Sequence, residues 1–208
     1  WINPGDSGGV IDIEWTMPEG NTASEVSYPS PHKIPYPPLM TFGYEDYVIF
    51  PVTLSLENPD EDIPISAKID FLICADVCIP ETALIQTSLK AIENDIELNE
   101  WIEKVPSILL PNIASINGSN FELRFSFNEA IDDIYFFPKN ENIFIYNTDQ
   151  ELIKEENNWL LRIPLIKDGP SNVDGILVIN DESFVIVSEL EESSLSVMES
   201  ISVWQALI

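Results

Sequence analysis

The sequence has 208 residues, of which 45% are hydrophobic, and its 36 Asp and Glu against 9 Lys and Arg give a net charge of −27. This length and hydrophobic content suffice for one or two domains with buried cores. A surface this acidic repels phosphates and anionic lipid headgroups, so the composition argues against nucleic-acid binding and peripheral membrane binding. The sequence does not begin with Met and contains no apolar run of about 18 residues, so we interpret it as a soluble piece of a longer protein.

The first 56 residues are expected to form strands joined by loops rich in glycine and proline. Gly5 to Gly9 predict a loop that leads into a strand from Val10 to Trp15. Residues 28–38 are dense in proline, which excludes a helix or an interior strand and predicts extended chain over the surface, with His32 as a solvated loop residue. The alternating apolar residues of Tyr47 to Leu56 predict a further strand.

The only two cysteines, Cys74 and Cys78, are separated by three residues. They could form a disulfide, supply half of a metal site or remain separate thiols. A zinc site usually takes four ligands, and the sequence has only one histidine, so no metal is expected. Residues four apart on a straight strand are about 13 Å apart, whereas a disulfide needs Cα atoms within about 7 Å. A disulfide, the favoured interpretation, therefore requires a tight bend between the predicted strands Ile65–Ile73 and Thr82–Leu89.

Spacing alone leaves open whether such a disulfide is structural or redox-active. Structural disulfides are common in exported proteins. A ring as small as this one, however, constrains the unfolded chain little and stabilises the fold by only about 2 kcal/mol in the chain-entropy model. Both interpretations stand at this point.

The sequence after Leu89 predicts a helix and then a second set of strands. Apolar residues at helical spacing predict a helix from Ile92 to Val105, which Pro106 ends. Ile116 to Ser119 predict a hairpin turn, and Tyr135 to Phe137 could form a binding face but are favoured as core. Strands are predicted at Phe121–Phe127, Ile143–Tyr146, Trp159–Ile166, Ile176–Ile179 and Phe184–Val187.

These elements predict an all-β fold of two domains. Residues 1–91 are interpreted as an immunoglobulin-like β-sandwich that contains the cysteines, and residues 92–106 as a short helical connector. Residues 107–190 are interpreted as a second β-sandwich-like domain. Residues 191–208 are expected to form a tail that leads to a membrane span.

The segment Phe71 to Glu81, which contains both cysteines, resembles the cysteine motif in the amino-terminal periplasmic region of DsbD-type thiol:disulfide interchange proteins, most closely the subgroup that includes ScsB. Five other segments resemble that region in the same order along the chain. They are Trp1–Gly8, Leu39–Glu45 together with Phe50–Leu54, Tyr135–Pro138 and Ser202–Ile208, the last of which is similar to the start of the family's first membrane helix.

The resemblance implies a thiol-disulfide oxidoreductase that has no cofactor beyond its cysteine pair. Electrons would arrive from a membrane-embedded reductase through a thioredoxin-like domain of the same full-length protein. They would leave to periplasmic thioredoxin-fold substrate proteins. Cys74 and Cys78 would be catalytic, with Cys78 forming the mixed disulfides and Cys74 resolving them.

The resemblance also implies a cap loop and a location. Phe42, Gly43 and Tyr44 match the aromatic loop that covers the cysteines in this family and opens when a partner docks. The protein would be periplasmic and tethered to the inner membrane through a span beyond Ile208. The alternative function is a non-enzymatic β-sandwich binding module with a structural disulfide.

Overall fold

The computed structural model describes residues 1–75, 77–89, 96–166 and 172–190. The predicted all-β fold is confirmed, since fifteen strands and one short helix account for the regular structure of these residues. The strands before the helix are β1 (Asp12–Thr16), β2 (Thr22–Ala23), β3 (His32–Tyr36), β4 (Leu39–Gly43), β5 (Leu54–Ser55), β6 (Ile63–Cys74) and β7 (Cys78–Leu89). The helix α1 (Ile96–Glu103) precedes β8 (Ile108–Leu109), β9 (Asn112–Asn117), β10 (Asn120–Phe125), β11 (Ile134–Pro138), β12 (Glu151–Lys154), β13 (Trp159–Pro164), β14 (Asn172–Ile179) and β15 (Glu182–Glu189).

The longest feature of the N-terminal part is the antiparallel hairpin β6–β7, whose register runs from Ile63 opposite Leu89 to Cys74 opposite Cys78. Strand β1 pairs with the other edge of β6, which gives a three-stranded sheet in the order β1-β6-β7. The base of β6 is anchored, because Ile63, Ile65 and Ala67 are buried. The far end of the hairpin is exposed on both strands, so it projects as an arm with the cysteines at its tip.

A second hairpin, β3–β4, turns at Pro37 and Pro38, which are joined by a cis peptide bond. The prediction of a covering loop for residues 28–38 was wrong in part, because His32–Tyr36 form a strand. Pro35 is tolerated there because a two-stranded ribbon leaves the outer edge of β3 unpaired, so a missing N–H costs little. His32 is exposed, as predicted, but lies on this strand rather than in a loop.

The C-terminal part consists of two four-stranded sheets, in the orders β12-β13-β10-β9 and β11-β14-β15-β8. Strand β8 runs parallel to β15, and the other pairs are antiparallel. Their facing side chains form the main core, which includes the fully buried Phe121, Phe136, Leu161 and Leu177. The aromatic segment Tyr135–Phe137 is part of this core, as the sequence favoured.

The same core continues into the N-terminal part. Trp1 and Phe42 are buried members of it, and Met40 and Tyr44 pack against it. The N-terminal segment and the hairpin β3–β4 are therefore packed on the C-terminal sheets. The predicted domain boundaries remain predictions.

Two predicted strands were wrong. The segment from Tyr47 to Leu56 contains only the two-residue strand β5, because Pro51 has no N–H to donate and the chain instead bonds irregularly to residues 24–27. Ile143 to Tyr146 form no strand and contribute a single bridge, between Phe144 and Leu165. Most apolar side chains of the two segments are half-buried or buried, with Tyr47 and Ile145 exposed, and burial alone does not require pairing in a sheet.

The other predicted elements are confirmed with shifted ends. The described part of the predicted helix is helical over Ile96–Glu103 and ends two residues before Val105, and residues 92–95 lie outside the described residues. The turn at Ile116–Ser119 joins β9 to β10, with Gly118 at a φ of 60°. No helix among the described residues is long and apolar enough to cross a membrane. The predicted tail, 191–208, lies outside the described residues.

Candidate functional site: the Cys74–Cys78 disulfide and its cleft

Cys74 and Cys78 form a disulfide across the tip of the arm. They are the last directly opposed pair of β6 and β7, and their Cα atoms are 4.0 Å apart. The bend predicted between them is confirmed, and the amide of Ala75 donates a hydrogen bond to the carbonyl of Val77 at 3.2 Å within it. Because opposed residues of an antiparallel pair point to the same face, the register of the hairpin itself brings the two sulfur atoms together.

The disulfide is accessible, and apolar side chains surround it. Both cysteines are exposed. Ile73, Val77 and Ile79 beside them are 57%, 67% and 52% exposed. Adjacent exposed apolar side chains of this kind can form a surface that a partner covers.

A cleft of about 470 Å³ opens beside the disulfide. One wall is the tip of the arm, with Leu72, Cys74 and Cys78. The opposite wall is the hairpin β3–β4, which contributes Ile34, Pro35, Tyr36, Leu39 and Thr41, together with the predicted cap residues Phe42, Gly43 and Tyr44. The structure thus brings all five predicted site residues to one cleft.

The two aromatic residues of the predicted cap loop differ in their surroundings. Phe42 is 1% exposed, and its ring meets the rings of Tyr135, Phe137 and Tyr146 edge-on, with centroids 5.1–5.8 Å apart. Tyr44 is half-buried, and its hydroxyl donates a hydrogen bond of 2.7 Å to the carbonyl of Pro29. Burial raises the pKa of Tyr44 well above its usual range, so its hydroxyl keeps its proton. Both rings are anchored by packing, and the covering role stays a prediction.

The N-terminal loop completes the cleft, and the sequence did not identify it as part of the site. Ser7 lines the cleft and forms a hydrogen bond with the hydroxyl of Thr41 at 2.5 Å. Gly9 lies close to the arm, since a Cβ atom there would lie 2.7 Å from Cδ1 of Leu72. Such contacts join residues far apart in the chain, and no local pattern in the sequence signals them.

A pair of opposite charges lies further down the arm. Lys68 Nζ and Asp70 Oδ2 are 2.6 Å apart. The hydrogen bond from Lys68, and a second from Thr82, lower the pKa of Asp70. The two charges offset one another on this strand. Among the residues that the structure describes, no group of three His, Cys, Asp or Glu is placed to hold a metal ion.

Comparison with known proteins agrees with this geometry. The crystal structure of the N-terminal periplasmic domain of ScsB from Proteus mirabilis superimposes with a TM-score of 0.72 and 19% sequence identity, covering 93% of this chain and 82% of that one. At this identity the match shows a shared fold. No curated protein matches the sequence. The family described as thiol:disulfide interchange protein DsbD, N-terminal, matches residues 1–90, which contain both cysteines, and the resemblance predicted from the sequence is thereby confirmed.

Proposed function

We propose that this chain is a periplasmic thiol-disulfide relay domain that passes reducing equivalents from a membrane-embedded reductase to exported oxidised proteins. The observation that carries the proposal is the exposed Cys74–Cys78 disulfide at the tip of a projecting arm, within the segment that matches the family. A disulfide needed only for stability gains nothing from such exposure. One that exchanges with other proteins requires it, because the attacking sulfur must reach it in line.

The proposed reaction is two successive thiol-disulfide exchanges. A thiolate of the donor attacks the Sγ atom of Cys78, the Cys74–Cys78 bond breaks, and Cys74 leaves as a thiolate that takes up a proton. The second thiolate of the donor then attacks the donor sulfur in the mixed disulfide and releases Cys78. The donor dithiol is oxidised to a disulfide and the pair in this chain is reduced, with two electrons transferred. The same steps in reverse reduce an acceptor disulfide, so the chemistry requires no cofactor.

Thioredoxin-like proteins are the proposed partners on both sides of this exchange. The donor would be a thioredoxin-like domain of the same full-length protein, and the acceptors would be periplasmic thioredoxin-fold proteins. The exposed apolar residues Ile73, Val77 and Ile79 support a protein partner, because docking would remove their apolar surface from water. Tethering through a membrane span beyond Ile208 is part of the same proposal.

The reduction potential of the pair tests the proposal against a binding module with a structural disulfide. The potential is measured by equilibrating the chain with a redox buffer and counting free thiols, with the double variant Cys74→Ser/Cys78→Ser as the background control. A relay pair should equilibrate above about −300 mV, in the range of oxidoreductases. A potential well below that value would identify a structural disulfide and exclude the relay.

A further inference from the structure

We propose that Asn3 is a positioning residue for disulfide exchange. By this proposal Asn3 fastens the N-terminal segment to the C-terminal sheets, and that segment in turn fixes the hairpin β3–β4, which is the wall of the cleft opposite the disulfide. The C-terminal part, which contains no cysteine, would thereby set the shape of the exchange site. The inference rests on the proposed function, since it concerns how the site receives a protein partner.

Asn3 is fully buried, and every polar atom of its side chain has a partner. Its amide nitrogen lies 2.9 Å from the carbonyl of Pro138, 3.0 Å from the carbonyl of Asn140 and 3.1 Å from the hydroxyl of Tyr146. Two of these three oxygens can only accept a hydrogen bond, so the group that faces them must be the NH2. Its carbonyl oxygen accepts a hydrogen bond from the amide of Gly5 at 3.0 Å.

The contacts of Asn3 join two parts of the molecule that the chain keeps far apart. The acceptors of its NH2 group lie at the end of β11 and in the segment that follows it, 135 to 143 residues beyond Asn3 in the chain. The bond to Gly5 holds the tight bend of the N-terminal segment. Gly5 has a φ of +81°, and a Cβ atom there would lie 2.5 Å from the carbonyl oxygen of Met40, so the segment and strand β4 are in direct contact at this point.

From this bend the N-terminal segment is bonded along β4. The amide of Phe42 donates to the carbonyl of Pro4 at 2.9 Å, and the amide of Asp6 donates to the carbonyl of Met40 at 2.8 Å. The carboxylate of Asp6 accepts a hydrogen bond from the amide of Met40 at 2.9 Å. The segment therefore pairs with β4 along the edge that does not face β3. A displacement of the segment would displace the hairpin with it.

Other contacts fasten the hairpin directly to the C-terminal part. The Phe42 ring lies among aromatic rings of that part, and the ammonium of Lys33 lies 4.6 Å from the centroid of the Tyr135 ring. At the turn of the hairpin, the side-chain amide of the exposed Asn147 donates to the carbonyl of Pro38 at 2.8 Å. These contacts hold the hairpin at its strands and at its tip.

The position of the hairpin should affect the reaction of the disulfide with proteins and not its reaction with small molecules. A protein that docks on the arm must also fit the opposite wall, where Tyr36 and Leu39 are 48% and 38% exposed. A small reductant needs only the disulfide, which is exposed already. Loosening the hairpin should therefore slow exchange with a protein and leave reduction by a small molecule nearly unchanged.

The test is the variant Asn3→Ala in the full chain. Its matched control is Ser188→Ala, which also removes a buried polar group, because the Ser188 hydroxyl donates to Asn112 Oδ1 at 2.5 Å within the C-terminal part. Reduction of the disulfide is followed with reduced thioredoxin and with a water-soluble trialkylphosphine. Asn3→Ala should lower the thioredoxin rate constant about tenfold and change the phosphine rate constant less than about twofold. In Ser188→Ala both rate constants should stay within about twofold of wild type.

Equal effects of Asn3→Ala on the two reagents, or no effect on either, would overturn the inference. If Asn3→Ala fails to fold, the variant Asn147→Ala provides the test instead. Asn147 is exposed, and loss of its side-chain amide frees only the tip of the hairpin. It should lower the thioredoxin rate constant about two- to threefold with the phosphine rate constant unchanged. An unchanged ratio in that variant would count against the proposal.

Amide hydrogen exchange separates this inference from the proposed function. If thioredoxin does not reduce even the wild-type chain while the phosphine does, the relay proposal fails. The amides of Asp6, Met40 and Phe42 then still report whether Asn3 positions the hairpin. They should exchange at least about tenfold faster in Asn3→Ala than in Ser188→Ala. Equal protection in the two variants would refute the positioning role.

Discussion

Cys74 and Cys78 are opposed residues of one hairpin, and the proposed exchange gives them different roles. The proposed mechanism assigns the mixed disulfide to Cys78, which begins the edge strand β7, whereas Cys74 ends the central strand β6. In Cys74→Ala the thiol that would resolve the mixed disulfide is absent. A stable mixed disulfide with a thioredoxin-fold protein should therefore accumulate through Cys78. Mass spectrometry of the trapped species checks this, and the matched variant Cys78→Ala should trap far less. Preferential trapping through Cys74 would reverse the assignment.

The second prediction for a single residue concerns how much the buried ring of Phe42 contributes to stability. Its ring is 1% exposed among three aromatic rings, so Phe42→Ala removes a large buried side chain. We expect a loss of about 3–5 kcal/mol in the free energy of unfolding, measured by urea denaturation. Tyr47→Ala, at an aromatic residue that is 59% exposed, is the control and should cost much less. A loss below about 1 kcal/mol for Phe42→Ala would show that the ring contributes little to the core and would favour its predicted covering role.

The sequence predicted five residues of the candidate site, and the fold places all five at one cleft, but the sequence did not predict all of their surroundings. The cysteines were found because their spacing permits few arrangements, and Phe42, Gly43 and Tyr44 because the segment resembles the family. Asn3 gave no local signal, since asparagine after an apolar residue near a proline is ordinary in a loop. Its role depends on acceptors more than 130 residues away, which only the folded chain brings close.

At the scale of elements, the pair β6–β7 was predictable because the first part of Ile65–Ile73 alternates, Thr82–Leu89 is also typical of a strand, and a disulfide requires a bend between the cysteines. The hairpin β3–β4 was not, because proline normally argues against a strand and a two-stranded ribbon with an unpaired edge is the exception. The predicted strand from Tyr47 to Leu56 was wrong for the opposite reason. Their apolar residues signal burial, and the sequence does not show that Pro51 and its neighbours bond irregularly. Periodicity identifies a buried face, whereas pairing depends on which other segments are available.

One sheet of the C-terminal part contains an ionic network that offers a stability test. The Glu122 carboxylate on β10 is 3% exposed and accepts hydrogen bonds from Arg162 at 3.2 Å and Arg124 at 3.1 Å. Burial acts to raise the pKa of Glu122, but the hydrogen bonds from Arg162, Arg124 and Asn117 outweigh it and lower the pKa. The carboxylate is therefore stabilised in its charged form by the folded structure.

We expect Glu122→Gln to lower the free energy of unfolding by about 1–3 kcal/mol at pH 7. Because the folded pKa is lowered, the stabilisation is complete above the unfolded value of about 4.3 and is lost as the pH falls through the folded pKa. The difference between wild type and variant should thus shrink in acid, as urea denaturation at several pH values would show. Glu151→Gln is the control, since Glu151 contacts Arg162 at 2.6 Å but is 61% exposed, and it should cost less than about 1 kcal/mol. Equal losses in the two variants would contradict the assignment.

At the scale of the whole molecule, the N-terminal and C-terminal parts share one core, and the arm projects from it with the disulfide at its tip. The sequence contains a large excess of negative charge, with 36 Asp and Glu against 9 Lys and Arg. The tip presents apolar residues to solvent, and the chain that carries it has a net charge of −27. Charge of one sign over a whole surface raises the local concentration of oppositely charged reagents and repels those of the same sign.

The disulfide should therefore discriminate among small reagents by their charge. Oxidation of the reduced pair by cystamine, a dication, should slow as salt is added, and oxidation by dithiodiglycolate, a dianion, should accelerate. When the ionic strength rises from about 10 mM to about 500 mM, the Debye length shortens from about 30 Å to a few Å. The rate constant for cystamine divided by that for dithiodiglycolate should therefore fall by about tenfold or more. Hydroxyethyl disulfide is neutral and serves as the control, with a rate constant that should stay nearly constant. Each rate constant is divided by that for free dithiothreitol, which removes differences in intrinsic reactivity. Salt slopes that are the same for all three disulfides would mean that the arm carries its tip beyond the acidic field, and selection by charge would then have to come from the docking surface alone.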